Sequence, residues 1–350
     1  MKQITLFFVL QLLFLPSVVH PQQQPLPIID MHLHASSLDD FGGGVPVCTN
    51  DQKIVYPGWD PKEPIVFGQL KRCESPMPAA ASDEALMRES LALLERLNIY
   101  AVTSGAQDRV NEWRAASPQR VIPALSFTTS RPGPRTPEEF RQLHAAGKLA
   151  VLAENGAQYH GKTLGDESYD AFFALAEELD IPVGVHLGEG PVGGAHFLGG
   201  PTPSAYRARL TSPVQLEEVL IRHPRLRIYV MHYASPLVDE MIALLFSHPQ
   251  VYVDIACNNW SLPREYFYSQ LKRLIDAGFE KRIMWGSDQM VWPRTIEIAI
   301  ETIEKAPFLT EEQKRNIFYN NAARFLRLSE ETIAAHNGES ADTSARPNKR

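Results

Sequence analysis

Cysteine is scarce in this chain: there are three in 350 residues, and no two of them form a C-x-x-C pair. That argues against a thiolate zinc site. Basic residues are also in deficit, 34 Lys and Arg against 41 Asp and Glu, for a formal charge of −7. Such a balance leaves no basic footprint for nucleic acid or an anionic lipid surface. Past the N-terminal segment, no apolar run approaches the ~20 residues needed to cross a bilayer. A G-x-G-x-x-G loop is missing after the first strand-like run, and Gly286-Ser287-Asp288 lacks the G-x-S-x-G elbow of a serine hydrolase. Disorder throughout is excluded as well, because 44% of the residues are hydrophobic and 21% charged.

What is present begins at the first residues. Met1-Lys2 is followed by an apolar run over 4–15, then Pro16, then a polar stretch over 21–25. One cation, a short apolar core and a polar exit read as a secretory signal over 1–23, with cleavage expected between Ser17 and Gln24. A buried N-terminal element is the competing reading. Export to the periplasm or the exterior would place the cysteines in an oxidising compartment. Cys48 and Cys73 share one loop-like segment, so a bridge between them is expected, with Cys257 left as a buried thiol. Two unpaired thiols are the alternative.

From Gln24 to residue 330, strand-like and helical patterns alternate. Candidate strands cover 28–34, 99–105, 121–127, 149–154, 183–187, 228–233, 251–256 and 282–288. Most are continuous apolar stretches, as strands buried on both faces should be. Helical patterns between them include 83–98, 137–146, 169–180, 213–223 and 264–277, with Thr136 and Ser212 as candidate N-caps. This alternation predicts an α/β protein, a single (β/α)8 TIM barrel, over an open doubly wound sheet. Residues 35–82 form a long insertion after the first strand, and 188–211 form a glycine-rich loop after the fifth. Both should hang over the catalytic face, and 188–200 is expected to act as a mobile lid. A helix over 311–328 is expected to close the fold, and 331–350 reads as a polar, disordered tail.

Chemistry-bearing residues fall at the ends of these strands. His32-Leu33-His34 ends the first, and at period two both imidazoles point the same way. Alone, such a pair is weak evidence. His186 ends the fifth strand, His232 the sixth and Asp288 the eighth, which converges four imidazoles and a carboxylate on one end of a barrel. Nitrogen and oxygen donors without thiolate suit Zn²⁺ first, with Mn²⁺, Fe²⁺ or Co²⁺ as alternatives. Glu154, ending the fourth strand, either bridges a second metal ion or orients a ligand histidine. Tyr159, Trp260 and Trp292 lie near strand ends, where they would either meet an aromatic substrate or simply pack.

The chain resembles the amidohydrolase superfamily, in the branch that includes aminocarboxymuconate-semialdehyde and resorcylate decarboxylases. The resemblance rests on DMHLH at Asp30–His34, the VHLG containing His186, the MHYASP containing His232, GSDQ at Gly286–Gln289 and NNAARFL at Asn320–Leu326. It runs from about Ile28 to Leu328, and the motifs are specific in this order and combination. It implies that His32, His34 and Asp288 bind metal, that His186 is a ligand, and that His232 is a second-metal ligand or a general acid/base. The segment AENGAQY around Glu154 also resembles the EIGLDY segment of the superfamily's deoxyribonuclease-like members, whose glutamate bridges two metals. Decarboxylases of the nearer branch generally lack that bridge.

The expected activity is hydrolysis of an ester, lactone or amide in a small molecule, by water activated on one or two ions. Asp288 and His232 are the expected catalytic groups. A lyase acting on a small carboxylic acid, by decarboxylation or hydration, is the second reading. A metal- or sugar-binding barrel without turnover is the third, and it would be favoured by the absence of Asp288. The expected partner is a small molecule, with no nucleic acid and no membrane span after signal removal. Assembly into a homo-oligomer is left open.

Overall fold

The computed structural model describes residues 25–64, 70–128, 133–197 and 204–339. The expected signal segment over 1–23, the last residues of the expected lid and the end of the tail lie outside them.

Eight strands run in chain order: β1 Ile28–Ala35, β2 Ile99–Gly105, β3 Val121–Pro123, β4 Leu152–Asn155, β5 Val183–His186, β6 Ile228–Met231, β7 Val251–Asp254 and β8 Ile283–Met284. All strand pairs are parallel, in two sheets ordered β1-β2-β3 and β4-β5-β6-β7-β8. A parallel bridge between Ala124 and Val151 joins β3 to β4. At the other edge, Met31 N donates to Trp285 O (3.0 Å) and Asp288 N to His32 O (2.6 Å), so the end of β8 meets β1. Helices follow the strands, among them Asp83–Arg96, Pro137–Ala145, Asp170–Leu179, Val238–Ser247, Arg264–Asp276 and Thr295–Glu304. Strands β5 and β6 are buried at every position, which is why their sequences carry no polar alternation.

Several boundaries differ from the sequence pattern, each for a local reason. The third strand stops at Pro123, and beyond Ala124 the Asn155 side chain takes over, accepting from Phe127 N (3.0 Å) and Ser126 Oγ (3.1 Å). The eighth strand ends at Met284, because the following residues wrap around the Asp30 carboxylate, which accepts from Ser287 N (2.9 Å). Thr136 caps its helix through a full capping box, whereas Ser212 makes no cap and donates instead to Glu240. The helix expected over 213–223 is a 3-10 turn, Pro213–Leu216, followed by Glu217–Arg222.

The C-terminal expectation needs two corrections. Residues 311–328 are not one continuous helix: a π-helical turn, Asn316–Asn320, separates Glu311–Arg315 from Asn321–Leu326. This segment seats Tyr319, Ala322, Ala323 and Phe325 against Ile29, Met31, Tyr229 and Met284. The polar tail starts later than residue 331, because Glu330–His336 forms a helix capped by Ser329. His336 is buried, stacks on Tyr100 at 3.4 Å between ring centroids, and shares a 2.9 Å hydrogen bond with the Tyr319 hydroxyl. Composition alone hides such docking, since one aromatic stack anchors an otherwise polar segment.

The insertion after β1 packs across the strand ends. Trp292 Nε1 donates to Val45 O (3.0 Å), Asn50 N to Trp260 O (2.8 Å) and Ala80 N to Val291 O (3.0 Å). Cys48 and Cys73 are bonded within it, as expected, and Cys257 is unpaired, half-buried and just beyond β7. The start of the expected lid is pinned in place: Glu189 N donates to Ser235 O (2.7 Å), and Gly190 N donates to Tyr206 Oη (3.0 Å). A Cβ on Gly188 would lie 2.4 Å from Ser235 O, so this close approach requires glycine.

Thiol counting on denatured, unreduced protein is expected to find one free cysteine of the three, Cys257. Reducing the bridge should lower stability by about 3 kcal/mol, read from the urea midpoint. Three titratable thiols before reduction would rule the bridge out.

Candidate metal centre

The six residues singled out from the sequence come together. His32 and His34 lie in β1, Glu154 in β4 and His186 at the last position of β5. His232 and Asp288 do not end strands as expected; they follow β6 and β8 in tight turns with φ of 59° and 49°. The left-handed backbone swings both side chains back over the strand ends.

Their donor atoms form two groups. His32 Nε2 and His34 Nε2 are 3.2 Å apart, and each lies near Glu154 Oε2, at 3.4 and 3.3 Å. Asp288 Oδ1 joins them, 2.9 Å from His34 Nε2 and 3.8 Å from His32 Nε2. In the second group His186 Nδ1 and His232 Nε2 are 3.1 Å apart. Glu154 Oε1 is hydrogen-bonded to His186 Nδ1 and lies 3.8 Å from His232 Nε2.

The remaining ring nitrogens each have a partner of their own, which fixes the orientation of the rings. His32 Nδ1 faces Asp254 Oδ2 at 3.2 Å, and His34 Nδ1 faces Ser104 Oγ at 3.2 Å. His232 Nδ1 donates to the Ala256 carbonyl (3.0 Å), and His186 Nε2 is held by the Tyr159 hydroxyl (2.8 Å). Buried Asp288 Oδ1 has the ring nitrogens of His34 and His32 as neighbours, at 2.9 and 3.8 Å. Burying carboxylate oxygens is costly, and a cation at the point where these nitrogens and oxygens converge offsets that cost. The donor set therefore fits a divalent ion of the nitrogen- and oxygen-seeking kind.

Three supporting residues escaped the sequence reading. Asp254, at the end of β7, is fully buried; besides His32 it accepts from His232 N (2.8 Å) and Ala256 N (3.1 Å). Its signal was present, a lone acid ending an apolar strand in the pattern already noted for Asp288. Asp30 accepts from His32 N and Ser287 N, both at 2.9 Å, and burial pushes its carboxyl up to about 6. Gln289 reads the β1 backbone, accepting from His34 N (2.9 Å) and donating to His34 O (2.7 Å). Of the three aromatics, Tyr159 reaches the site, whereas Trp260 and Trp292 are buried with their indole N–H groups spent on Ser287 O and Val45 O. Gly286 is needed because a Cβ there would meet the His32 and Ala256 Cβ atoms at 2.9 Å.

Electrostatics of the metal-free cluster follow from this crowding. Burial opposes a charge on His32, but the adjacent Asp288 and Glu154 carboxylates outweigh it and hold its imidazolium well above the usual range. His34 is raised for the same reason. Burial works against the Glu154 and Asp288 carboxylates, yet the neighbouring imidazolium charges prevail, and Asp288 falls to about 2.

An amidohydrolase family model matches residues 29–328, and the chain belongs to that family. Searched against curated proteins, the sequence has no match. Among solved structures it is similar to an uncharacterised TIM-barrel protein from Bordetella bronchiseptica, with 20% identity and a TM-score of 0.53 over 75% of this chain and 87% of that one. A probable 2-pyrone-4,6-dicarboxylic acid hydrolase from Acinetobacter baumannii, crystallised with citric acid, has 14% identity and a TM-score of 0.54 over 87% of this chain and 100% of its own. The 5-carboxyvanillate decarboxylase of Sphingomonas paucimobilis has 17% identity and a TM-score of 0.53, again over 87% and 100%. Identities this low establish the shared fold, an α/β architecture of TIM-barrel type.

Asp254→Asn should keep the fold but release His32, lowering metal affinity by roughly 10–100-fold. Competition with a chromogenic chelator measures this, and unchanged affinity would remove Asp254 from the site. The carboxylates beside His32 and His34 favour their protonated forms in the metal-free protein, so metal competes there with protons. Adding Zn²⁺ to metal-free protein near neutral pH, in weak buffer, should therefore acidify the solution, and affinity should fall as pH is lowered. Proton-neutral binding would contradict the assignment.

Proposed function

We propose that this chain is a hydrolase that uses two divalent ions, for which His32, His34 and Asp288 would supply one set of donors and His186 and His232 the other, with Glu154 offering an oxygen to each. The observation that carries this reading is the Glu154 carboxylate, whose Oε2 faces the first pair of imidazoles and whose Oε1 faces the second. A merely orienting carboxylate would need only one of those faces. Zn²⁺ suits the donors first, with Mn²⁺, Fe²⁺ or Co²⁺ as alternatives. The eight parallel strands, linked at β3–β4 and at β8–β1, support reading the fold as a closed (β/α)8 barrel.

When bound, a divalent ion lowers the pKa of water to about 7 and polarises the bond to be broken. Asp288 acts as the proton carrier. Its Oδ1, beside the first pair of imidazoles, takes up the proton of the attacking water and returns it to the leaving group. His232 has its Nδ1–H engaged by the Ala256 carbonyl, which favours a ligand role for Nε2 over proton transfer. Asp254 and Tyr159 orient the His32 and His186 rings. The substrate is a small molecule with an ester, lactone or amide bond. Export of the protein is supported by the signal-like first residues and by the Cys48–Cys73 bond.

A carboxy-lyase is the second reading, favoured by the fold shared with 5-carboxyvanillate decarboxylase and 2,6-dihydroxybenzoate decarboxylase. Elemental analysis separates the two: two ions per chain support the hydrolase, whereas a single ion with CO₂ as product supports the lyase. Asp288→Asn is expected to fold and keep metal, because the histidines and Glu154 remain. Its turnover should fall by about 10²–10⁴-fold. Near-native turnover would overturn the role given to Asp288, and complete loss of metal would make it chiefly a ligand.

A further inference from the structure

The Glu154 carboxylate can face both imidazole pairs only if the backbone carrying it is turned and held at that point. Strand β4 is irregular there. Leu152 pairs with Val183 and Asn155 with Val185, so Ala153 and Glu154 together stand opposite the single residue Gly184. One extra residue on a strand breaks the ladder, leaves backbone groups unpaired and re-aims a side chain. Such groups are costly when buried, so other partners must take the place of the missing ladder bonds.

The Asn155 side chain supplies them. It is fully buried, and both ends of its amide are used. Nδ2 donates to Leu152 O (2.8 Å) and Gly184 O (2.9 Å), one carbonyl from each strand of the bulge. Oδ1 accepts from Phe127 N (3.0 Å) and Ser126 Oγ (3.1 Å), beyond the end of β3. A second clamp follows directly: Gly156 N donates to Thr128 Oγ1 (2.9 Å), which is 3.1 Å from Ser126 Oγ. On the other side, Ala153 N donates to Leu125 O (3.0 Å). The residues flanking Glu154 are therefore tied to 125–128, and none of these bonds involves a donor atom of the metal centre. An amide is what this position requires, with two donors for the carbonyls and an acceptor for the two donors. A carboxylate of the same shape would set an anionic oxygen against two carbonyls, and an apolar residue would leave all four partners unsatisfied.

We infer that Asn155 is a positioning residue for the metal centre: it holds the bulge that turns Glu154 between the two donor groups. This deepens the two-ion reading above and rests on it. Asn155 itself neither binds an ion nor meets the substrate. Its effect falls on the pairing of the ions, because Glu154 alone among the six candidate ligands offers an oxygen to each group.

Titrating metal-depleted protein with Mn²⁺, followed by electron paramagnetic resonance, tests this in Asn155→Ala and in Thr128→Val. In Asn155→Ala the affinity for the second ion should fall by about 10–100-fold, the usual effect of losing a side chain that orients a ligand. The first ion should be held nearly as in wild type, and the magnetic coupling between the two ions should weaken. Thr128→Val removes only the acceptor for Gly156 N, so it should move both readouts the same way by less. Leu175→Ala, a cavity in the buried face of the helix Asp170–Leu179, is the structural control. It should lower the urea midpoint yet leave the ratio of the two affinities unchanged. Equal losses for both ions, or unchanged coupling in Asn155→Ala, overturn the proposal. Should Asn155→Ala not fold, Thr128→Val decides by the same two readouts, and an unmoved ratio there is equally fatal. A wild type that takes up one ion brings down the two-ion reading instead. Crystal structures of the metal-free proteins then judge Asn155 by itself: Glu154 should leave its place between the imidazole pairs in the folded variant, and an unmoved carboxylate overturns the proposal.

Discussion

The seam between β1 and the segment after β8 is the contact on which the rest of this molecule depends. Asp30 accepts from Ser287 and from the His32 backbone, Asp288 N donates to His32 O, and Gln289 grips His34 through both its carbonyl and its N–H. These bonds join the first and last strands of the chain and, by the same atoms, place the Asp288 carboxylate over two imidazoles. The same bonds thus tie the segment after β8 to β1 and bring the first donor group together. A lesion at Asp30 or Gln289 therefore acts on both, although neither residue touches a donor atom of the site.

The second ligand group depends on orientation more than on closure. Each imidazole has one nitrogen tied to a fixed partner, Asp254, Ser104, Ala256 O or Tyr159. The other nitrogen of each ring turns toward Glu154. Ordering those rings beforehand lowers the entropic cost of binding an ion, at the expense of crowding carboxylates and imidazoles in a buried space. The insertion adds a further layer, because its bonds to Trp260, Val291 and Ser261 join it to the loops after β7 and β8.

Much of this was legible in the chain itself. Continuous apolar runs revealed the eight strands, because burial on both faces removes the polar alternation. His32, His34, Glu154, His186, His232 and Asp288 stood out because each follows or ends such a run. The Cys48–Cys73 pairing followed from two cysteines in one segment. Local pattern therefore determined the order of elements, the class of fold and the identity of the ligand candidates.

Tertiary structure decided what depends on partners distant in sequence. Asp254 looks like any buried acid until His32, 222 residues away, is seen against it. Strand β8 ends early because Asp30, from the far end of the chain, captures the backbone that would extend it. The division of the six candidates into two groups, with one oxygen of Glu154 facing each, exists only once β1, β4, β5 and the turns after β6 and β8 share one space. His336 is held by a ring stack that no composition rule anticipates. Periodicity is a property of neighbouring residues and can be read along the chain; hydrogen-bond satisfaction inside a buried site is a property of the packed molecule and cannot.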